Sequence, residues 1–326
     1  MKTIQWGIIG CGDVTEKKSG PAFNKVNHSR LIAVMRRDGI KAKEYALRHG
    51  ISKWYNSAQK LIDDEEINAI YVATPPLFHE EYTISALRAG KAVYVEKPMA
   101  VSALAAEKMM KVSFETNNKL SIAHYRRQQP MFKKIKSLLE SNSIGKIRMV
   151  NLKLFHPPGP ANSNQDVTNW RIDPEISGGG LFHDLAPHQL DLMLYFFGKP
   201  VEASGISLNQ AGLYRADDFV TGFIRFEKGV IFNGTWCFTV SPHEESDICE
   251  IIGSEGTILF SIFKPLEITL SNNNNKEIFK FETLEHVQQP MIEAVVKYFI
   301  DEGPNPCSAE EGVETMRLID TFTNRK

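Results

Sequence analysis

The 326 residues carry 38 basic side chains against 39 acidic ones, for a formal net charge of −1. That length suffices for two hydrophobic cores, because a single core stops growing near about 250–300 residues, and the even charge balance lacks the cationic excess that would favour nucleic acid or an anionic membrane as partner. Cys11, Cys237, Cys249 and Cys307 are far apart and show no C-x-x-C spacing, which suits a reducing compartment better than a disulfide framework. The N-terminal residues alternate like a strand, and no stretch is long and apolar enough to span a bilayer, so the expectation is a soluble, cytoplasmic protein.

The run Thr3 to Val14, TIQWGIIGCGDV, is a short apolar strand that empties into Gly10-Cys11-Gly12. A strand ending in closely spaced glycines and followed by a helical pattern is where a doubly wound fold receives a pyrophosphate. Gly10 would permit the tight turn, and Gly12, without a Cβ, would let the backbone approach the phosphates. The first helical amides, from Asp13 and Val14, would point at them. Thr15 takes the third position of this fingerprint in place of Gly or Ala, which works against close helix–strand packing there.

A helix-sized interval containing Ala22, Phe23 and Val26 leads to a second buried strand, Arg30 to Met35. The residues at its end select between dinucleotides: a carboxylate there accepts from a ribose 2′-hydroxyl, whereas cations suit a 2′-phosphate. Arg36-Arg37-Asp38 follows, so NADP is favoured over NAD, with Asp38 the residue that argues for NAD. The alternation continues with a helix over Ala42 to His49 and a strand over Ile67 to Thr74. Pro75-Pro76 stops that strand and leaves Thr74, Pro75 and His79 at a carboxyl edge, where ligands bind in this architecture. A helix from Glu80 to Arg88, a stop at Gly90 and a strand from Lys91 to Val95 then deliver Glu96-Lys97-Pro98 to the same edge.

GIIGCGDV, YVATPPLFH and EKPMAVSALAAE, in this order and spacing, resemble the glucose-fructose oxidoreductase and inositol dehydrogenase (Gfo/Idh/MocA) family of NAD(P)-dependent sugar and polyol dehydrogenases. The resemblance continues through WRIDPEISGGGLFHDLAPHQLDLM and so covers both halves of the chain. It implies an α/β protein with an N-terminal doubly wound Rossmann domain, expected over 1–124. A C-terminal α+β domain on a large, mostly antiparallel open sheet, expected over 125–326, would serve substrate binding and oligomerisation. Pro76 departs from the pattern where many members have Asn, which removes one polar contact to the cofactor.

The first domain is expected to close with a strand over Leu120 to His124, and Pro130 opens a helix to about Leu139. Arg126 and Arg127 lie near the crossing, where a contact to phosphate or substrate and a structural ion pair are both open. Further on, Ser177-Gly178-Gly179-Gly180 leads into His183, Asp184, His188 and Asp191. Asp184, His188 and Asp191 stand at i, i+4 and i+7, so a continuous helix puts them on one face. Pro187 is expected to hold the start of that helix to within about one turn before it. His188 is the candidate for moving the hydroxyl proton, because imidazole changes charge near neutral pH. A two-histidine, one-carboxylate metal site is disfavoured, since adjacent His183 and Asp184 diverge on a helix, and no metal is expected.

By resemblance, the lysine of EKP and the Asp and His of the G-G-G-x-x-x-D-x-x-x-H segment map onto Lys97, Asp184 and His188. His188 would be general acid/base, Asp184 its orienter and a substrate contact, and Lys97 a donor to the reacting oxygen. Trp170 and Arg171 match the family's Trp-Arg pair and would line the nicotinamide or pyrophosphate, as Glu96 and Lys97 would from the first domain.

From Val201 the chain reads as strands in hairpin succession, EASGISL, DFVTGFIRF, VIFNGTWCF, ICEIIGS, GTILFSIF and LEITLS, implying an antiparallel sheet with one covered face. Asn272 to Asn275 reads as a hairpin tip. Helices over Pro290 to Asp301 and Ser308 to Thr323 finish the chain, with Glu310 taken as the capping partner at the start of the second. The sequence therefore predicts an NADP-dependent oxidoreductase of a sugar, polyol or related cyclic alcohol or ketone, and the resemblance implies a homo-oligomer, dimer or tetramer. Two alternatives stay open: an enzyme that keeps its nicotinamide bound for redox-neutral chemistry such as glycosidic cleavage, and a non-catalytic nucleotide sensor.

Overall fold

The computed structural model describes residues 3–159, 169–273 and 275–324. They form two compact units, one of residues 1–129 with 284–316 and the other of residues 130–283 with 317–326. The expected division into 1–124 and 125–326 follows chain order, whereas the compact units are discontinuous in sequence. The segment 284–316 returns to the first unit.

In the first unit, β1 (Ile4–Ile9), α1 (Asp13–Lys17), β2 (Ser29–Met35), α2 (Gly39–His49), β3 (Lys53–Tyr55), α3 (Ala58–Ile62) and β4 (Ala69–Val72) are followed by α4 (His79–Arg88), β5 (Ala92–Val95), α5 (Ala103–Thr116) and β6 (Leu120–Ile122). The six strands are parallel in the order β3-β2-β1-β4-β5-β6. Strand order reverses between β1 and β4, and the crevice outside the carboxyl ends at that reversal is where a doubly wound sheet takes its ligand. Apart from the short β3 at the edge, the strands are largely runs of buried apolar residues, as expected of a parallel sheet covered on both faces. Fully buried Trp6 on β1 meets Phe23 at 4.8 Å and Phe299 at 5.5 Å between ring centroids, and its indole N–H donates to Ser29 Oγ at 3.0 Å.

The interval read as one helix after the glycine turn is not one. It is the short α1 and a 3-10 turn over Gly20–Asn24. At Gly20 the chain folds back so tightly that a Cβ would lie 2.2 Å from the Thr15 carbonyl oxygen and 2.4 Å from the Tyr45 hydroxyl. Pro21 reinforces the break, yet Ala22 and Phe23 are buried as their apolar character demands.

The second unit contains α6 (Pro130–Glu140), β7 (Ile147–Phe155), α7 (Pro174–Ser177), α8 (Leu181–Phe197), β8 (Pro200–Leu208), β9 (Phe219–Phe226), β10 (Ile231–Cys237), β11 (Ser246–Gly253), β12 (Gly256–Phe260), β13 (Glu267–Asn272) and β14 (Asn275–Lys280). Its eight strands run β14-β13-β12-β11-β7-β10-β9-β8. The succession of hairpins is interrupted in the middle, where β7 enters between β11 and β10 and pairs parallel with β10. Neither β7 nor β14 stands out in the sequence as the other strands do. Val150, Leu152 and Leu154 of β7 nevertheless face the core with Val220, Ile224 and Phe226 of β9. Asn272 pairs with Asn275 and Asn273 has φ +31°, the geometry of the expected hairpin tip; Asn274 lies outside the described residues.

Trp236 anchors α8 to the sheet, packing edge-on against Phe182 at 5.1 Å and donating its indole N–H to Gln189 Oε1 at 3.3 Å. On the same sheet the cross-strand pair Gly205 and Gly222 makes room for Phe322, since a Cβ on Gly222 would lie 2.8 Å from that ring.

Two helices follow β14, α9 (Gln289–Phe299) and α10 (Ala309–Phe322). The capping box of α10 uses Glu311, not Glu310. Glu311 Oε2 accepts the Ser308 N–H at 2.8 Å, and the Glu311 N–H donates to Ser308 Oγ at 3.4 Å, the reciprocal three-residue spacing of that motif. Buried Arg127 donates to the same carboxylate at 2.5 Å, so of the two roles open for it at the crossing it takes the ion pair, and that pair lies inside the first unit. No helix of the described residues is long and apolar enough to cross a membrane.

Candidate functional site

The candidate residues form one group in each unit. In the first, β1 ends at Gly10, whose φ of +97° is costly for a residue with a side chain. A Cβ there would meet the Thr74 amide nitrogen and Cγ2 at 2.8 Å each, because β1 and β4 are neighbours whose ends touch at this point. Gly12 is different: a Cβ on it would meet only the Gly10 carbonyl oxygen, at 4.0 Å. The space in front of Gly12 is open, next to the first turn of α1 with half-buried Val14 and exposed Asp13. Thr74 Oγ1, at the end of β4, is buried with no hydrogen-bond partner among the described residues. An open cradle flanked by a buried, unsatisfied hydroxyl fits a dinucleotide bound across the glycine turn.

Thr15 does not loosen the turn. Its side chain is buried, and its hydroxyl donates to the Gly12 carbonyl at 2.8 Å, so the extra atoms of a non-glycine third position close back on the turn. Between the glycines, burial pushes the Cys11 thiol up to about 11, which keeps it a neutral S–H.

Arg36, Arg37 and Asp38 are all exposed beyond β2. Arg36 reaches the Cys11 carbonyl at 3.4 Å, which lays its guanidinium along the glycine turn. The Arg37 guanidinium lies over the Phe78 ring at 4.9 Å. The Asp38 carboxylate is committed elsewhere: it caps α2, accepting the Ile40 and Lys41 amides at 3.1 and 3.2 Å. The bond from the Lys41 amide holds its pKa below the usual carboxylate value, so it is ionised in that role at neutral pH.

The β4 and β5 loops are joined by His79. It is buried, with Nδ1 2.9 Å from the Pro98 carbonyl and Nε2 2.7 Å from the Thr74 carbonyl. Its ring bridges the two loops, and because burial pushes its pKa down the neutral ring donates to one of these two carbonyls. Buried Pro76 opens the 3-10 turn that carries Phe78. Glu96 is also held by partners within the first unit. Its buried carboxylate accepts from the Tyr71 hydroxyl and the Gln288 amide, each at 2.5 Å, and from the Lys97 backbone N–H at 3.1 Å. The following residue, half-buried Lys97, is thereby fixed at its backbone.

In the second unit, Gly178, Gly179 and Gly180 have φ of +88°, +153° and +86°. A Cβ on Gly179 would lie 2.1 Å from the His183 ring and one on Gly180 2.3 Å from Ala216 Cβ, so the three glycines serve close packing as well as conformation. The Ser177 hydroxyl accepts the amides of Gly179 and Gly180 at 3.3 and 2.7 Å, which aims the chain into α8. α8 begins at Leu181, well over a turn before Pro187, and Pro187 lies inside the helix. The expected limit on the helix start is therefore corrected: a long helix with a buried apolar face carries the interior proline despite the amide bond it removes.

Asp184, His188 and Asp191 share one face of this continuous helix, and His188 is 5% exposed. The Arg171 Nε–H donates to Asp184 Oδ2 at 3.2 Å, while its guanidinium stacks over Trp170 at 4.5 Å. The Trp-Arg pair thus supports Asp184. Phe263 meets the His188 ring edge-on at 5.7 Å. Its loop is pinned by Asp247, which accepts the amides of Ile262, Phe263 and Lys264 at 3.0, 2.6 and 3.3 Å. Sequence reasoning passed over Asp247, Phe263 and Gln288, which act through tertiary contacts and carry no local spacing signal.

Two family models match the chain: an oxidoreductase family with NAD-binding Rossmann fold over residues 4–124, and a GFO/IDH/MocA C-terminal domain over residues 132–259. Oxidoreductase P35 of Formosa agariphila is 44% identical over 98% of this chain and 98% of its own length. The 1,5-anhydro-D-fructose reductase of Ensifer adhaerens is 28% identical over 78% of this chain and 75% of its own. The aldose-aldose oxidoreductase of Caulobacter crescentus, solved with glycerol, superposes with a TM-score of 0.88 at 20% identity, covering 99% of this chain and 97% of that one.

Proposed function

Because the chain belongs to the GFO/IDH/MocA family of oxidoreductases, we propose that it is an NADP-dependent dehydrogenase or reductase of a sugar, polyol or related cyclic alcohol or ketone. The observation that carries the choice of NADP is the commitment of Asp38 to the α2 cap while Arg36 lies along the glycine turn. A carboxylate engaged by two amides is a poor acceptor for a ribose hydroxyl, and a guanidinium beside the turn is a good partner for a 2′-phosphate. Gly10, Gly12, Val14 and Thr74 would hold the dinucleotide, whose nicotinamide supplies or takes the hydride.

The proton is the protein's task. His188 takes it from the substrate hydroxyl on oxidation and returns it on reduction. Asp184, held by Arg171, orients the imidazole. Lys97 donates to the reacting oxygen and offsets charge developing there. Phe263 restricts the plane of the imidazole. A homo-oligomer formed through the outer face of the eight-stranded sheet is part of the proposal, because Met149, Ile206, Ile248, Leu259 and Ile278 are exposed on that face. A cytoplasmic location fits the scattered cysteines.

Turnover of 1,5-anhydro-D-fructose and a panel of ketoses and polyols, with NADPH or NADP and product measured together, tests the reading. Cofactor consumed in step with product is the expected result. Product without net cofactor turnover would replace it with redox-neutral chemistry, and nucleotide binding with no reaction across the panel would favour a sensor.

A further inference from the structure

Immediately before α9, the segment 285–288 packs against two parts of the first unit at once. His286 Nδ1 lies 2.7 Å from the Lys17 carbonyl and the Gln288 N–H donates to the Lys18 carbonyl at 3.2 Å, both at the end of α1. The Gln288 side chain, 1% exposed, then runs under the sheet. Its Nε2 donates to Glu96 Oε1 at 2.5 Å and lies 3.4 Å from the Tyr71 oxygen, while its Oε1 accepts the Tyr94 hydroxyl at 3.1 Å. A side-chain amide can donate to a buried carboxylate and accept from a phenol together, which an apolar side chain in its place cannot. The other oxygen of that carboxylate holds the backbone N–H of Lys97.

We propose that Gln288 is a positioning residue for Lys97, acting through Glu96. Glu96 is buried, so its orientation depends on the donors that surround it, and Gln288 is one of two side chains on Oε1. Without the amide, Glu96 keeps one side-chain donor on that oxygen, the Tyr94 hydroxyl loses its acceptor, and the carboxylate is released to turn. The Lys97 backbone follows it. Partners of this outer kind commonly change activity by about 10–100-fold when removed, without touching the reacting atoms. The inference rests on the reading of Lys97 as a donor to the reacting oxygen, and its test separates the two.

Gln288→Met, close to Gln in size, is compared with wild type in the full chain. The first readout needs no turnover: the acylation rate of each lysine by an N-hydroxysuccinimide ester, read by mass spectrometry, with Lys91 and Lys119 as internal references. The expected result is a several-fold change at Lys97 alone, with unfolding still cooperative and NADPH affinity unchanged. Where the enzyme turns over, kcat falls about tenfold or more with KM little changed. An unchanged Lys97 rate in the folded variant would overturn the proposal, and so would an equal rise at all lysines, which marks general loosening. Lys97→Met separates the premise: full turnover by that variant would remove Lys97 from the chemistry and leave the positioning result standing.

Discussion

Asp38 shows how one side chain's hydrogen bonds decide between two ligands. From the sequence it was the residue arguing for a ribose, and the structure gives it to the cap of α2. Asp38→Asn keeps an acceptor for the Ile40 and Lys41 amides and should leave both stability and NADH affinity nearly unchanged. Asp38→Ala removes the cap and should cost about 0.5–2 kcal/mol in denaturant unfolding. A large loss of NADH affinity in the Asn variant would place the carboxylate on the ribose instead. His188 is the second residue with a sharp expectation. His188→Ala should lower kcat by about two orders of magnitude or more with cofactor affinity little changed, and near-normal turnover in steady-state assays would remove it from its role.

Among the elements, the triple glycine before α8 is the most constrained. Gly180→Ala would combine a φ of +86° with a Cβ 2.3 Å from that of Ala216, and both penalties act on the first turn of the helix that carries Asp184 and His188. A lowering of stability by more than about 1 kcal/mol is expected, read as a drop in midpoint temperature. Here the sequence was legible: GGG followed by D-x-x-x-H announced both the turn and the helix face. The start of α8 well over a turn before Pro187 was not, because an interior proline is tolerated only when tertiary burial offsets it, and burial cannot be read locally. The same limit explains the interval after Gly12, where a helical pattern yields to a fold-back that depends on Tyr45 meeting Thr15. The Tyr45 hydroxyl donates to the Thr15 carbonyl at 2.8 Å, a contact thirty residues apart in sequence.

Across the whole molecule, alternation of strands and helices was enough to give a parallel sheet, but not its order, in which β4 returns beside β1 instead of following β3. The second sheet was harder. Hairpin succession accounts for β8 to β10 and for β11 to β14, but β7 pairs with partners far away in sequence and no local rule inserts it. Nor does chain order reveal that 284–316 belongs with the first unit, or that the last turn of α10 closes on Gly205 and Gly222. Phe322→Ala would empty that space and should cost about 3–5 kcal/mol in the unfolding of the second unit. A loss below about 1 kcal/mol would mean that the sheet collapses onto the gap.

The residues chosen for phosphate, proton and charge stand or fall with the nucleotide. Nicotinamide fluorescence on cofactor-free protein, titrated with NADPH and with NADH, measures that directly, with Arg36→Ala and Arg37→Ala alongside. The account predicts tighter NADPH binding in the wild type and a loss of that preference in the arginine variants, by roughly 10–100-fold for a charge-assisted contact worth about 1.5–3 kcal/mol. Equal or tighter NADH binding, unmoved by either substitution, would contradict it.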